Sequence, residues 1–143
     1  GDSTNRKSYS SYSFVKANCV FSWEARKQNI VALSSTEAEY IAMSSAAKEA
    51  VYLRNLMTEL GFNEPEPMML YGDNLSAQCL VKNAAYHARS KHIDLKYHHI
   101  RDIYAKRLID VEYVPTEDMM SDIFTKNLCK FKHLKFSHLM GLY

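Results

Sequence analysis

The stretch Ser34-Ser-Thr-Glu-Ala-Glu-Tyr-Ile-Ala-Met-Ser-Ser-Ala-Ala-Lys-Glu-Ala-Val-Tyr-Leu-Arg-Asn-Leu-Met-Thr-Glu-Leu-Gly61 sets the architecture. Ser34 and Glu37 have the Ser-x-x-Glu spacing of a capping box, and Gly61 is placed as a C-terminal stop, so the spacing predicts a long helix over about 35–60. Its apolar stripe runs Met43, Ala46, Ala50, Leu53, Met57, Leu60, at steps of three and four. Glu39 lies on the same line, four residues before Met43, which puts a carboxylate at the N-terminal end of the core-facing side.

Upstream, Gly1 to Ser8 is polar and turn-like. Tyr9 to Trp23 is rich in aromatic and β-branched residues around a break at Ala17-Asn18, and reads as two strands in a hairpin. Charged Glu24 to Asn29 and a short apolar run, Ile30 to Leu33, lead into the helix. Downstream, Pro65 and Pro67 mark a loop, and Met68 to Tyr71 reads as a buried strand ending at Gly72-Asp73-Asn74. A short helix is expected over Leu75 to Lys82. A longer one over Ser90 to Arg107 has the stripe Ile93, Tyr97, Ile100, Tyr104. Ile109 to Val114 alternates as a strand does until Pro115. Thr116 can cap a helix carrying Met119, Asp122 and Ile123, and Phe131 to Leu139 fits a last short helix.

Strands separated by helices define a mixed α/β domain, with parallel pairing favoured for the last two strands. At 143 residues one domain is expected over 1–143, large enough to bury roughly two-thirds of its surface. The 47% apolar and 24% charged composition argues against wholesale disorder. Neither a membrane-length apolar run nor a signal-peptide pattern is present, so an intracellular protein, of cytoplasm or nucleus, is expected. A net charge of +2 excludes a histone-like polycation but not a local basic face. Cys19, Cys79 and Cys129 are spaced for neither a disulfide framework nor a metal knuckle, and reduced, mostly buried thiols are expected.

Three acids stand where chemistry would use them: Glu39 on the long helix, Asp73 just past a buried strand, and Asp122 on a late helix. Sites in open α/β sheets gather beyond the carboxyl ends of strands, which favours Asp73. Carboxylates facing one cavity repel unless cations hold them, a need that two Mg²⁺ ions can meet. Acids are also common at capped helix starts and strand-end turns.

Val31-Ala-Leu-Ser-Ser-Thr-Glu-Ala-Glu-Tyr-Ile-Ala42, Gly72-Asp-Asn-Leu-Ser-Ala77, His87-Ala-Arg-Ser-Lys-His-Ile-Asp-Leu-Lys-Tyr-His98 and Val114-Pro-Thr-Glu-Asp-Met-Met-Ser-Asp-Ile-Phe-Thr-Lys126 follow in order along the chain. Together they closely resemble the ribonuclease H domain of copia-like retrotransposon polyproteins. The resemblance implies a ribonuclease H-like fold, a mixed sheet flanked by helices, that cleaves the RNA strand of RNA–DNA hybrids with two Mg²⁺ ions. By motif, Glu39, Asp73 and Asp122 resemble three of the family's four catalytic, metal-holding acids. The fourth belongs to a Ser-Asp-Ala-Asp-Trp-Ala motif on the family's first strand, immediately before the Gly-Asp that opens this sequence. It is absent here, and Asp2 resembles the aspartate that follows the motif. Without that strand, two strand edges are expected to face a slot, to be filled by another segment or chain. The resemblance thus leaves two expectations: a hybrid nuclease incomplete on its own, or a domesticated, non-catalytic module that oligomerises or accepts a partner strand. Tyr9-Ser-Ser-Tyr12 and Ser121 depart mildly from the family pattern. No counterpart of the histidine loop of cellular relatives is evident near Thr116 to Met120.

The densest positive stretch is Lys82, His87, Arg89, Lys91, His92, Lys96, His98, His99, Arg101. It reads either as phosphate contact along a hybrid, led by Lys91, Lys96 and Arg101, or as a solvated helix face partly neutralised by Asp94 and Asp102. Its histidines lack the spacing and cysteines of a zinc site. Trp23 and the hairpin tyrosines read as core or sheet-face residues, or as stacking platforms for bases.

Overall fold

The structure is a computed structural model and describes residues 7–63, 65–83 and 91–142, with the side chains of 91–93 outside the description. Asp2, His87 and Arg89, and the side chains of Lys91 and His92, therefore lie outside the described residues.

Strand β1 (Tyr9–Lys16) and strand β2 (Cys19–Lys27) form an antiparallel hairpin. Ala17 and Asn18 both take left-handed conformations, φ 52° and 59°, the backbone of a two-residue turn whose twist suits the flanking strands. Helix α1 (Ser35–Glu59) follows the expected bounds. Ser34 accepts the Glu37 N–H at 3.1 Å, while the Glu37 carboxylate accepts the N–H of Leu33, one residue outside the usual capping-box partner. At the other end, Phe62 N–H bonds to Met57 O and Gly61 N–H to Thr58 O, with Gly61 at φ +89°. That left-handed stop needs glycine.

Strand β3 (Met68–Gly72) and strand β4 (Ile109–Tyr113) pair in parallel, as expected of strands joined through helices. Between them lie α2 (Leu75–Lys82) and α3 (Lys91–Ala105). Helix α4 (Lys130–Leu139) closes the chain. The helix expected after Thr116 is instead two 3₁₀ turns, Thr116–Asp118 and Met120–Phe124. Met119 between them is extended (φ −78°, ψ 92°) and Thr116 makes no side-chain cap, so the α-helix is interrupted after three residues.

Among the described residues the strands form two separate two-stranded sheets rather than one mixed sheet. Helix α1 packs under both. Gln28 Nε2 bonds to Ser10 Oγ (2.7 Å) and Ala38 O (2.9 Å), which fixes the start of β1 beside the start of α1. Ser22, opposite Phe14 in the hairpin, donates to Glu49 farther along α1 (2.7 Å). Arg54, near the end of α1, donates to Glu66 O before β3 (2.7 Å), whereas Gly72 at the end of β3 lies beside Met43. β1 therefore runs with α1 and β3 runs against it.

The core joins Met43, Ala46, Ala50 and Leu53 of α1 to Phe14, Leu70, Ile100, Ile103, Ile109 and Val111. Met57 is half-buried and Leu60 is exposed, so the expected stripe stops a turn early. A second buried row, Tyr40, Ser44 and Ala47, faces α3, where the Tyr40 and Tyr97 rings lie 3.8 Å apart. Of the hairpin aromatics, Phe14 is buried, Tyr12 packs edge-on against it, and Tyr9 and Trp23 are exposed on the sheet. The three thiols are free, as expected, but exposed rather than buried. Cys19 sits at the hairpin end, Cys79 on the solvent side of α2 and Cys129 at the cap of α4, all outside the packed faces. No helix among the described residues is long and apolar enough to cross a membrane.

Candidate functional site

Glu39, Asp73 and Asp122 come from three elements and meet at the N-terminal end of α1. Glu39 is on the second turn of α1, half-buried. Asp73 follows the last residue of β3, where Asn74 turns the chain by capping α2 through Ala77 N–H (2.9 Å), and Gln78 Nε2 holds Gly72 O (3.0 Å). Asp122 is buried in the second 3₁₀ turn. That turn is tied to β1 by Ser11 Oγ donating to Ser121 O (2.9 Å).

The three carboxylates act on one another. Burial raises the Glu39 carboxyl pKa above its ordinary value; Asp73 and Asp122 raise it further, and Lys126 opposes them. Lys126 is a residue of this cluster that the sequence reading did not single out. Its Nζ lies 2.9 Å from Asp122 Oδ2, and its backbone N–H bonds to Asp122 O, also at 2.9 Å. Burial alone would lower the Lys126 pKa, but the hydrogen bond and charge of Asp122, then Asp73 and Glu39, raise it overall. The four-residue spacing of Asp122 and Lys126 was the available signal.

As placed here, Glu39, Asp73 and Asp122 do not by themselves form a two-Mg²⁺ site. Among the described residues no group of three or more His, Cys, Asp or Glu side chains could hold a metal ion. One oxygen of Asp122 is already engaged by an ammonium.

Beside the acids, a groove of about 600 Å³ separates β1 from β3. Ala42, Met43, Ala46 and Leu53 of α1 form its floor, Ser11 to Lys16 one wall and Met68 to Gly72 the other, with Glu39 and Ser121 at one end. Among the described residues β1 pairs with β2 and β3 with β4, so no described strand lies between β1 and β3 across the groove.

Of the predicted phosphate contacts, the side chain of Lys91 lies outside the described residues, and Lys96 and Arg101 have different surroundings. Lys96 is half-buried in a depression with Ser10, Glu24, Arg26 and Gln28. Burial lowers its ammonium pKa, with Lys48 and Arg26 adding repulsion. Arg101 turns inward, donating from Nε to Leu80 O (3.0 Å) and lying 5.6 Å from the Tyr97 ring centroid.

All 143 residues align, at 39% identity, with the retrovirus-related Pol polyprotein from transposon TNT 1-94 of Nicotiana tabacum. Two more, from transposons RE2 and RE1 of Arabidopsis thaliana, match 99% of the chain at 35% and 34% identity. The chain spans about a tenth of the length of these relatives, 10 to 11%. No family model and no solved structure matches it.

Proposed function

We propose that residues 1–143 form one ribonuclease H-like domain of a retroelement polyprotein, whose activity is Mg²⁺-dependent cleavage of the RNA strand in RNA–DNA hybrids. The observation that carries this reading is the meeting of Glu39, Asp73 and Asp122 from three separate elements, close enough for two of them to raise the pKa of the third. On this reading these are three of the four acids that such a site uses. Glu39 and Asp73 would orient the attacking water, while Lys96 would contact phosphates without sequence preference.

The test extends the chain at its N-terminus with a strand carrying Ser-Asp-Ala-Asp-Trp-Ala and follows a labelled RNA–DNA duplex in Mg²⁺. The extended protein should cleave the RNA strand and lose that activity on Asp73→Asn. Absence of cleavage by a folded extended protein would overturn the reading.

The open groove favours a second reading, a non-catalytic module that accepts a partner strand or a second copy. Two strands with no described strand between them, above an apolar floor, suit strand addition, where main-chain bonds supply affinity.

A further inference from the structure

On the side of α1 away from Glu39, Ile41 and Ser45 border a cavity of about 270 Å³ that shares no lining residue with the groove. Its donors come from separate elements: Ser10 on β1, Arg26 on β2, Asn29 in the loop before α1 and Lys96 on α3. Ser10, only 8% exposed, accepts from Gln28 Nε2 at 2.7 Å, and its own hydroxyl proton has no acceptor among the described residues. Arg26 reaches Glu24 at 2.8 Å, which neutralises the carboxylate in the cavity wall. The Lys96 ammonium makes no hydrogen bond or ion pair among the described residues, and the charges that act on it, Lys48 and Arg26, are both positive. A half-buried ammonium beside like charges is unfavourable until an anion joins it. Donors and positive charge thus gather here in excess of the one acid that faces them.

We propose that this cavity is a phosphate site, in which Lys96 and Arg26 hold the oxyanion while the Ser10 hydroxyl and the Asn29 amide donate to it. Donors spread over several elements surround a tetrahedral group better than a planar carboxylate. A phosphate monoester also brings up to about two negative charges and three acceptor oxygens to the positive excess. Arg26 has five N–H donors, so it keeps Glu24 on one edge of its guanidinium and turns another toward the anion. Lys48, exposed one turn beyond Ser45, adds attraction from outside the cavity. A free phosphate and the backbone of a bound strand offer the same chemistry. Only the second source rests on the ribonuclease H-like reading.

The probe is inorganic phosphate, titrated into the ¹⁵N-labelled full chain at constant ionic strength, with chloride as the reference ion. Phosphate should shift the backbone amides of Ser10, Arg26, Asn29 and Lys96 saturably and leave those of Asp73 and Asp122 in place, and chloride should not. In Lys96→Gln the affinity should fall about tenfold or more, the loss expected of one charge-assisted hydrogen bond. Arg26→Gln should weaken it as well, whereas Lys130→Gln, on α4, should bind phosphate as the unaltered protein does. Shifts no larger than those with chloride, or undiminished affinity in Lys96→Gln, would overturn the proposal. Should Lys96→Gln fail to fold, the position of the shifts in the unaltered protein decides alone. A second arm adds an RNA–DNA duplex to the phosphate-saturated protein. Release of phosphate, with the Ser10 and Lys96 amides moving to new positions, assigns the site to a strand, and retention assigns it to a free phosphate. Neither readout uses hybrid cleavage, so a failed nuclease assay with these shifts present would remove the enzymatic reading and leave the phosphate site standing.

Discussion

Val20 donates its backbone N–H to the carbonyl of Met140 at 2.9 Å, which fastens the end of the last helix to the first hairpin. The contact depends on the next residue. Gly141 has φ +75°, and a Cβ there would lie 2.5 Å from Asn18 O. Gly141→Ala should therefore lower stability by about 2 to 4 kcal/mol, combining the left-handed penalty with overpacking against backbone. Urea unfolding of the two proteins checks this, and an unchanged midpoint would contradict it.

The Glu39 carboxyl pKa is raised above its ordinary value of 4.5, so its neutral form is the one the folded state prefers. An acid shifted upward stabilises the fold below its unfolded pKa and loses that contribution as pH rises through the folded value. Glu39→Gln should thus melt higher than the parent at pH 7, with the difference fading below about pH 4. Melting curves across that range should show the two converging in acid. Divergence there would mean that Glu39 is stabilised as a carboxylate.

Arg101 and Lys96 should separate in their effects. Arg101→Ala removes a hydrogen bond to Leu80 O and should cost about 1 to 3 kcal/mol of stability. Lys96→Glu should chiefly weaken hybrid binding. That binding should be weak, indifferent to sequence and steeply reduced between about 50 and 200 mM salt. Titrations at several salt concentrations, beside thermal melts of each variant, decide. Tight, salt-independent binding would remove phosphate contact from the picture.

The facing edges of β1 and β3 should drive assembly, since exposed strand edges pair with other chains. Size-exclusion chromatography with light scattering should find a dimer or higher oligomer, or a dependence on an added peptide. A stable, cooperatively unfolding monomer at micromolar concentration would show that the open edges are tolerated.

Local rules made much of the fold legible in the sequence. Ser34 and Gly61 bracket α1 because caps act over one turn, and Ala17-Asn18 marks the hairpin because few residues accept its dihedrals. The acids at Glu39 and Asp73 were visible as a helix-face position and a strand-end position. What escaped depended on contacts distant in sequence. Tyr40, Ser44 and Ala47 are buried because α1 is covered on a second side by α3, which no single stripe reveals. The turn around Asp122 is tied to β1 across 110 residues, and Arg101 turns inward to a carbonyl on a neighbouring helix, contacts that no local pattern reveals.

The opposed directions of β1 and β3 constrain any guest in the groove. Whichever way a peptide enters, it pairs parallel with one wall and antiparallel with the other, so reversing its polarity exchanges its neighbours without removing a ladder. Polarity is therefore a weak selector. Discrimination falls to the side chains that meet Ala42, Met43 and Ala46, where small floor residues leave depth for a branched or aromatic guest residue at every second position. A peptide and its sequence-reversed twin, alike in that alternation, should compete for the same place.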